Sequence, residues 1–297
     1  MLVAVWIVVT LVAAVMQIAR TSEQHRLKPL LGVAEAGYVR FAFAWPLAVV
    51  ITTAWMLGPG HLPTLGARFW WSIVVGGVAQ IVGTMALLQS FRLRDFAVGT
   101  IYAKTEVLFV GVASTVVLGE AVAPLGWVGA VLVLAGVAVL ASGGRLRHQL
   151  SAGLDPAAWF GMAAALGFAG AAVGIRSAAT SLEGTAVDRS MITLACMLGV
   201  QTLVQGVALG WSSTSSLRRV AAAWRPALLV AALSLAGSAM WALAMTLENA
   251  AKVRTLGQIE ILLAFAVGAV VHHEAHRRIE YGAAALTAVG ITLLVVS

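Results

Sequence analysis

The chain has 297 residues, of which 61% are hydrophobic and 10% charged, and its mean hydropathy is +0.95. A water-soluble domain keeps much of its surface polar, so this composition excludes one and points to a polytopic helical membrane protein. The formal charge of +7 does not indicate a nucleic-acid partner, because the basic residues sit in short connections between apolar runs, where orientation signals lie.

Ten transmembrane helices are expected, over residues 2–19, 32–57, 69–90, 98–118, 124–142, 157–176, 190–211, 226–247, 252–271 and 280–297. Each is long enough for a hydrocarbon core of roughly 30 Å. The first run has no basic segment before it and no clean cleavage site, so it reads as a span rather than a signal peptide. Gly58-Pro59-Gly60 breaks the chain after the second span, and Ser142 to Pro156 forms the longest polar break. The single cysteine, Cys196, allows no internal disulfide and no cysteine metal site. Gly129, Gly136 and Gly143 in the fifth span, and Gly170 with Gly174 in the sixth, are small faces of the kind that let helices approach closely.

The two halves resemble each other at a constant offset of 154. Glu106 falls on Glu260, Glu120 on Glu274, Gly83 on Gly237, Ala130 on Ala284 and Gly136 on Gly290. Alanine and glycine matches come cheaply in such a chain. Two glutamate matches do not, because only 12 residues are acidic. Five spans per half would start the second half on the opposite side of the membrane, giving two inverted five-helix repeats, 1–150 and 151–297. Transporters built this way hold their site near the midplane.

The chemistry is concentrated in the fourth and ninth spans. Counting from Val98 at 1.5 Å per residue, Glu106 lies about 12 Å deep, and Glu260 is equally deep from the other direction. A carboxylate at that depth is expensive and marks a functional site by default. Tyr102 shares the face of Glu106. Lys104 points elsewhere, so both charges need partners from other segments or from water. Gln258 replaces Lys104 in the second copy. Gln80 in the third span and Trp241 in the eighth are further candidates to line the site, the tryptophan as an aromatic or cation–π wall. A buried glutamate can exchange a proton or hold a substrate cation. The competing reading is an internal Lys–Glu pair that only locks helices together. Two glutamates without full compensation favour a site over a lock. Arg40 and Arg189 read as interfacial anchors. His272-His273-Glu274-Ala275-His276 lacks the order of a zinc hydrolase motif, and no metal is expected there. No phosphate-binding glycine loop or nucleophile elbow is present, so neither a cofactor nor an enzymatic reaction is expected.

Val117-Leu118-Gly119-Glu120 closes the fourth span, Val271-His272-His273-Glu274 closes the ninth, and a glycine-bearing span follows each. Over essentially the whole chain this pattern resembles the drug/metabolite transporter superfamily, in its ten-span EamA-type form. The resemblance implies an all-α integral membrane protein of the cell inner membrane and an exporter of small organic metabolites working by alternating access. It also implies a central cavity lined by the third, fourth, eighth and ninth spans. The mixed charges suit a zwitterionic, amino-acid-like solute with proton coupling. The alternatives are an organic-cation or drug-amine transporter and a non-transporting membrane scaffold. The partners expected are thus a small-molecule substrate and the lipid bilayer. Thirteen Lys and Arg residues fall on one side and five on the other, which puts the first loop in the cytoplasm and both termini outside. The resemblance implies both termini inside.

Overall fold

The computed structural model describes residues 2–27, 31–93, 96–147, 155–270, 273 and 276–297. The chain is a multi-pass, all-helical membrane protein: among the described residues eight helices are long and apolar enough to cross a membrane. They cover Ala34–Leu57, Ala67–Leu93, Ala97–Leu118, Pro124–Ala141, Pro156–Thr180, Ala186–Ser212, Trp224–Leu247 and Arg278–Val296. Each overlaps one of the expected spans. The first expected span is a helix whose apolar part, Val5–Arg20, is shorter than these eight. The ninth is split into two short helices.

The helices are α1 (Leu2–Leu27), α2 (Val33–Ala42), α3 (Ala44–Leu57), α4 (Ala67–Leu93), α5 (Phe96–Ala103), α6 (Glu106–Ala113), α7 (Pro124–Ala141), α8 (Pro156–Thr180), α9 (Ala186–Ser212), α10 (Thr214–Ala222), α11 (Trp224–Leu247), α12 (Ala250–Leu256), α13 (Ile259–Val270) and α14 (Arg278–Val296). A single π turn, Ser114–Leu118, continues α6 and ends at Gly119 with φ 70°. Local chemistry explains several ends. Pro46 lacks the N–H that would bond the Ala42 carbonyl, so the second span breaks into α2 and α3 at Phe43. Pro226 acts alike on Ala222, and α10 stops there. Pro124 and Pro156 open α7 and α8, where a missing N–H is harmless. Thr185 and Asp188 cap α9 reciprocally, at 3.2 and 3.1 Å, and the Trp55 indole donates to Asp188 at 2.7 Å.

The chain divides into two compact units. The first comprises Met1–Val78 and Gly174–Glu248. In it α11 packs on α1, α9 and α2, and α9 also on α3. One apolar cluster joins Phe69, Ile73, Ala178, Ile192 and Met197; another joins Phe41, Ala44, Ala48 and Leu198. Arg176 donates to the Met245 and Thr246 carbonyls at 3.1 and 3.0 Å, and so covers orphan acceptors in the last turn of α11. Arg219 of α10 pairs with Glu35 in the first turn of α2. A β-carbon on Gly174 would sit 2.7 Å from the Gly76 α-carbon, so α8 and α4 meet there backbone to backbone.

The second unit comprises Ala79–Val173 and Asn249–Ser297. Its main pairing is α7 on α14. A β-carbon on Gly129 would lie 2.6 Å from the Gly290 carbonyl oxygen, and one on Gly136 would lie 2.6 Å from that of Ala283. Those two glycines are packing residues, as expected. Gly143 is not: nothing lies within 4 Å of its β position, and its φ of 56° marks the turn that ends α7. Gly83 and Gly167 bring α4 and α8 together, with 2.6 Å from a Gly167 β-carbon to the Gly83 α-carbon.

Candidate functional site

The fourth and ninth spans are both interrupted at the depth of their glutamates. Lys104 and Thr105 separate α5 from α6, and Gly257 and Gln258 separate α12 from α13. Neither gap is a wide unwinding. The amide of Val107 bonds the Lys104 carbonyl at 3.4 Å, and the amide of Ile261 bonds the Gln258 carbonyl at 3.0 Å. These are i to i−3 bonds, so each break is a tightened turn of 3₁₀ type. In the first, the Thr105 hydroxyl also donates to the Tyr102 carbonyl at 2.6 Å, competing with the helical ladder. In the second, Gly257 lowers helix propensity. Glu106 and Glu260 then stand in the first turns of α6 and α13, where the helix dipole favours a negative charge.

Both carboxylates are paired, and each takes its cation from the other half of the sequence. The Arg254 guanidinium grips Glu106 with two hydrogen bonds, Nε to Oε1 at 2.6 Å and Nη2 to Oε2 at 2.8 Å. Lys104 donates from Nζ to Glu260 Oε1 at 2.5 Å. All four residues belong to the second compact unit. Glu260 also lies within electrostatic reach of Arg254, so the two pairs form one cluster. The Glu106 side chain is 3% exposed and that of Arg254 18%; Lys104 and Glu260 are 15% and 18% exposed.

Gln258 is buried beside this cluster in sequence and in space. Its amide donates to the Arg254 carbonyl at 3.2 Å, while its own carbonyl oxygen accepts no hydrogen bond. The hydroxyl of Thr255, one turn after Ala251, is likewise fully buried with no partner. Tyr102 stands one turn before Glu106, with its β-carbon against Gly161 of α8. Gln80 lies on α4 in the same unit and receives a 2.8 Å bond on its carbonyl from Thr84. Trp241 lies in the first unit, where its indole donates to Gln17 at 3.2 Å.

The residue missed by sequence reasoning is Arg254. Counted there as one of five charges on the sparsely basic side, it is instead inside α12 and holds Glu106. With it the four charges cancel, so the expectation that one glutamate lacks compensation is corrected. A signal was available, since Arg254 precedes Glu260 by six residues within an apolar run. Lys104 and Glu106 do find partners on other segments, as their divergent directions required. Of the histidine run, residues 272, 274 and 275 lie outside the described residues, as does the match of Glu120 with Glu274. His276 stacks on Phe265 with ring centroids 4.2 Å apart, and no group of three potential metal ligands occurs among the described residues. A cavity of about 400 Å³ in the first unit is lined by Leu47, Ile51, Met191, Leu194, Leu235 and their neighbours, with Thr52 its one polar side chain. It offers nothing to a charged solute.

No family model matches the chain, and no curated protein does. Among solved structures 28 chains match. One, a crystal structure of a protein, aligns with a TM-score of 0.66 at 16% identity, covering 98% of this chain and 94% of that one. The likeness is one of fold.

Proposed function

We propose that the chain is a secondary transporter of small organic solutes, an exporter of the drug/metabolite transporter type in the cell inner membrane. The observation that carries this reading is the cluster of Glu106, Arg254, Lys104 and Glu260 at the broken middles of two apolar spans. Discontinuous membrane helices with charges at the break are how transporters present helix ends and side chains to a solute. A zwitterion fits best: its carboxylate would meet Lys104, and its ammonium would meet Glu260. Tyr102 and Gln80, in the same unit as the cluster, remain candidate lining residues on the same reading.

Ten spans in two inverted repeats belong to this proposal. In support, helices that begin at residues 2, 96, 106 and 124 have counterparts beginning at 156, 250, 259 and 278. The offset is 154, or within one residue of it. The Lys and Arg distribution supports a cytoplasmic first loop. Taking Arg176 and Arg254 out of the opposite tally, since both are engaged inside the protein, strengthens that bias. Alternating access would move the repeats about the site, with a proton as the coupling ion.

The full pairing of the four charges favours one competing reading, a lock in a non-transporting scaffold. Purified protein in liposomes holding a pH-sensitive dye separates the two. A panel of amino acids, polyamines and quaternary amines would be added to wild type, to Glu106→Gln/Glu260→Gln and to Lys104→Met/Glu260→Gln. The last variant removes one pair whole and leaves no single charge stranded. Solute-dependent pH change in wild type, lost in both variants, is expected. Flux without pH change and unaltered in the variants would remove the glutamates from the mechanism; no flux at all across the panel would favour the scaffold.

A further inference from the structure

We infer that the two ion pairs do different work: Lys104–Glu260 is the pair that opens to a solute or a proton, and Glu106–Arg254 stays shut as a strut. This rests on the transport reading above, and it divides what that reading leaves equal. Three differences carry it.

The first is bond geometry. Arg254 holds Glu106 through both carboxylate oxygens in the planar fork that guanidinium and carboxylate share, whereas Lys104 meets Glu260 through a single rotatable ammonium nitrogen. A lysine is a point charge on a flexible stem and can swing away without losing a fixed geometry. The second is access. Glu106 is sealed, at 3% exposure, so a ligand can approach that pair from the arginine side alone. Lys104 and Glu260 are both accessible. Charges at this depth do not face lipid tails, so their open sides face a polar space. The third is attachment. Arg254 sits within α12, packed on α6, with Val253, Thr255 and Leu256 buried around it. Lys104 sits in the break itself, between α5 and α6, where the ladder is already interrupted. A proton arriving at the site therefore goes to Glu260, which releases Lys104 for the carboxylate of a solute.

Dicyclohexylcarbodiimide, an apolar reagent that adds to protonated carboxyl groups in membranes, tests this on the full-length wild-type protein. Labelling at mildly acidic pH would be followed by mass spectrometry of the Glu106 and Glu260 peptides. Glu260 should react at least about tenfold faster, because protonating it frees a rotatable ammonium whereas protonating Glu106 breaks a planar two-bond fork. Amino acids transported in the liposome assay should slow the reaction of Glu260 and leave Glu106 unchanged. Equal labelling of the two, faster labelling of Glu106, or labelling of neither would overturn the assignment. The outcomes are separable from those of the transport reading. Solute-driven pH change with Glu106 labelled first would keep transport and sink this division. Selective labelling of Glu260 with no flux for any solute would keep the division and sink transport.

Discussion

Glu106 and Glu260 occupy matching places in the sequence, yet different cations hold them. The counterpart of Lys104 is Gln258, and the counterpart of Arg254 is Thr100. Each half thus supplies one cation, from positions that do not correspond, and the cluster is asymmetric where the pattern of glutamates is symmetric. The asymmetry has energetic consequences. Removing one partner of a sealed pair leaves a buried charge stranded, so Glu106→Gln should cost about 3–5 kcal/mol of stability. The Glu106→Gln/Arg254→Gln double variant should recover much of that loss, because no charge is left alone. Denaturation in detergent of the two variants beside wild type measures the difference. A double variant no more stable than Glu106→Gln would mean that Arg254 does not act on Glu106.

At the scale of elements, helix ends and contacts follow from a few residues. Proline explains the breaks at Phe43 and Ala223, and the capping pair Thr185 and Asp188 explains where α9 begins. Asp188→Ala removes the carboxylate half of the capping box and the Trp55 bond together, and should cost about 1–3 kcal/mol, read as a lowered Tm. The α7 and α14 contact depends on the absence of a side chain at Gly129. Gly129→Leu would drive carbon into the Gly290 carbonyl and the Leu294 amide, at 2.6 and 2.9 Å already for the β-carbon. It should destabilise by about 1–3 kcal/mol or more. Gly282→Ala on the same α14 is the control. Nothing lies within 4 Å of its β position, and a helical alanine gains roughly 0.5–1 kcal/mol over glycine. Comparable losses in both variants would show that close approach at Gly129 is not what governs this face.

For the whole molecule, sequence order and compactness divide the chain differently. The expected boundary runs between residues 150 and 151, whereas each compact unit draws on both sides of it, and the division falls within α4 and α8. Those are long helices, 27 and 25 residues, and a helix that long spans a bilayer with turns to spare. The proposed topology puts the 58–66 and 181–185 connections outside the cell and the turns near Arg145 and Ser215 inside. All four test positions, His61, Glu183, Arg145 and Ser215, are exposed. In a Cys196→Ser background, single cysteines at His61 and Glu183 should react with an impermeant maleimide on intact cells. Those at Arg145 and Ser215 should react after lysis alone. The reverse pattern would place both termini in the cytoplasm.

Composition and apolar run length were enough to identify a multi-pass helical membrane protein, because the cost of exposing apolar side chains and unpaired backbone groups leaves few other outcomes. The positions of the glycine contacts at Gly129, Gly136 and Gly174 were legible for the same reason, since small residues in an apolar helix have few uses besides close packing. The glutamates drew attention because charge at membrane depth is costly wherever it occurs. Partner choice was not legible. Lys104 and Glu260 are 156 residues apart and Glu106 and Arg254 are 148 apart, and nothing local to either pair encodes a contact of that range. The tightened turns at Lys104 and Gln258 were hidden too, because a threonine or a glycine in an apolar run is equally compatible with an unbroken helix. The medium, the helices and the cost of the buried charges follow from the order of residues alone. How those charges are shared follows from the fold, since an ion pair in a low-dielectric interior is a property of what packing brings within 3 Å.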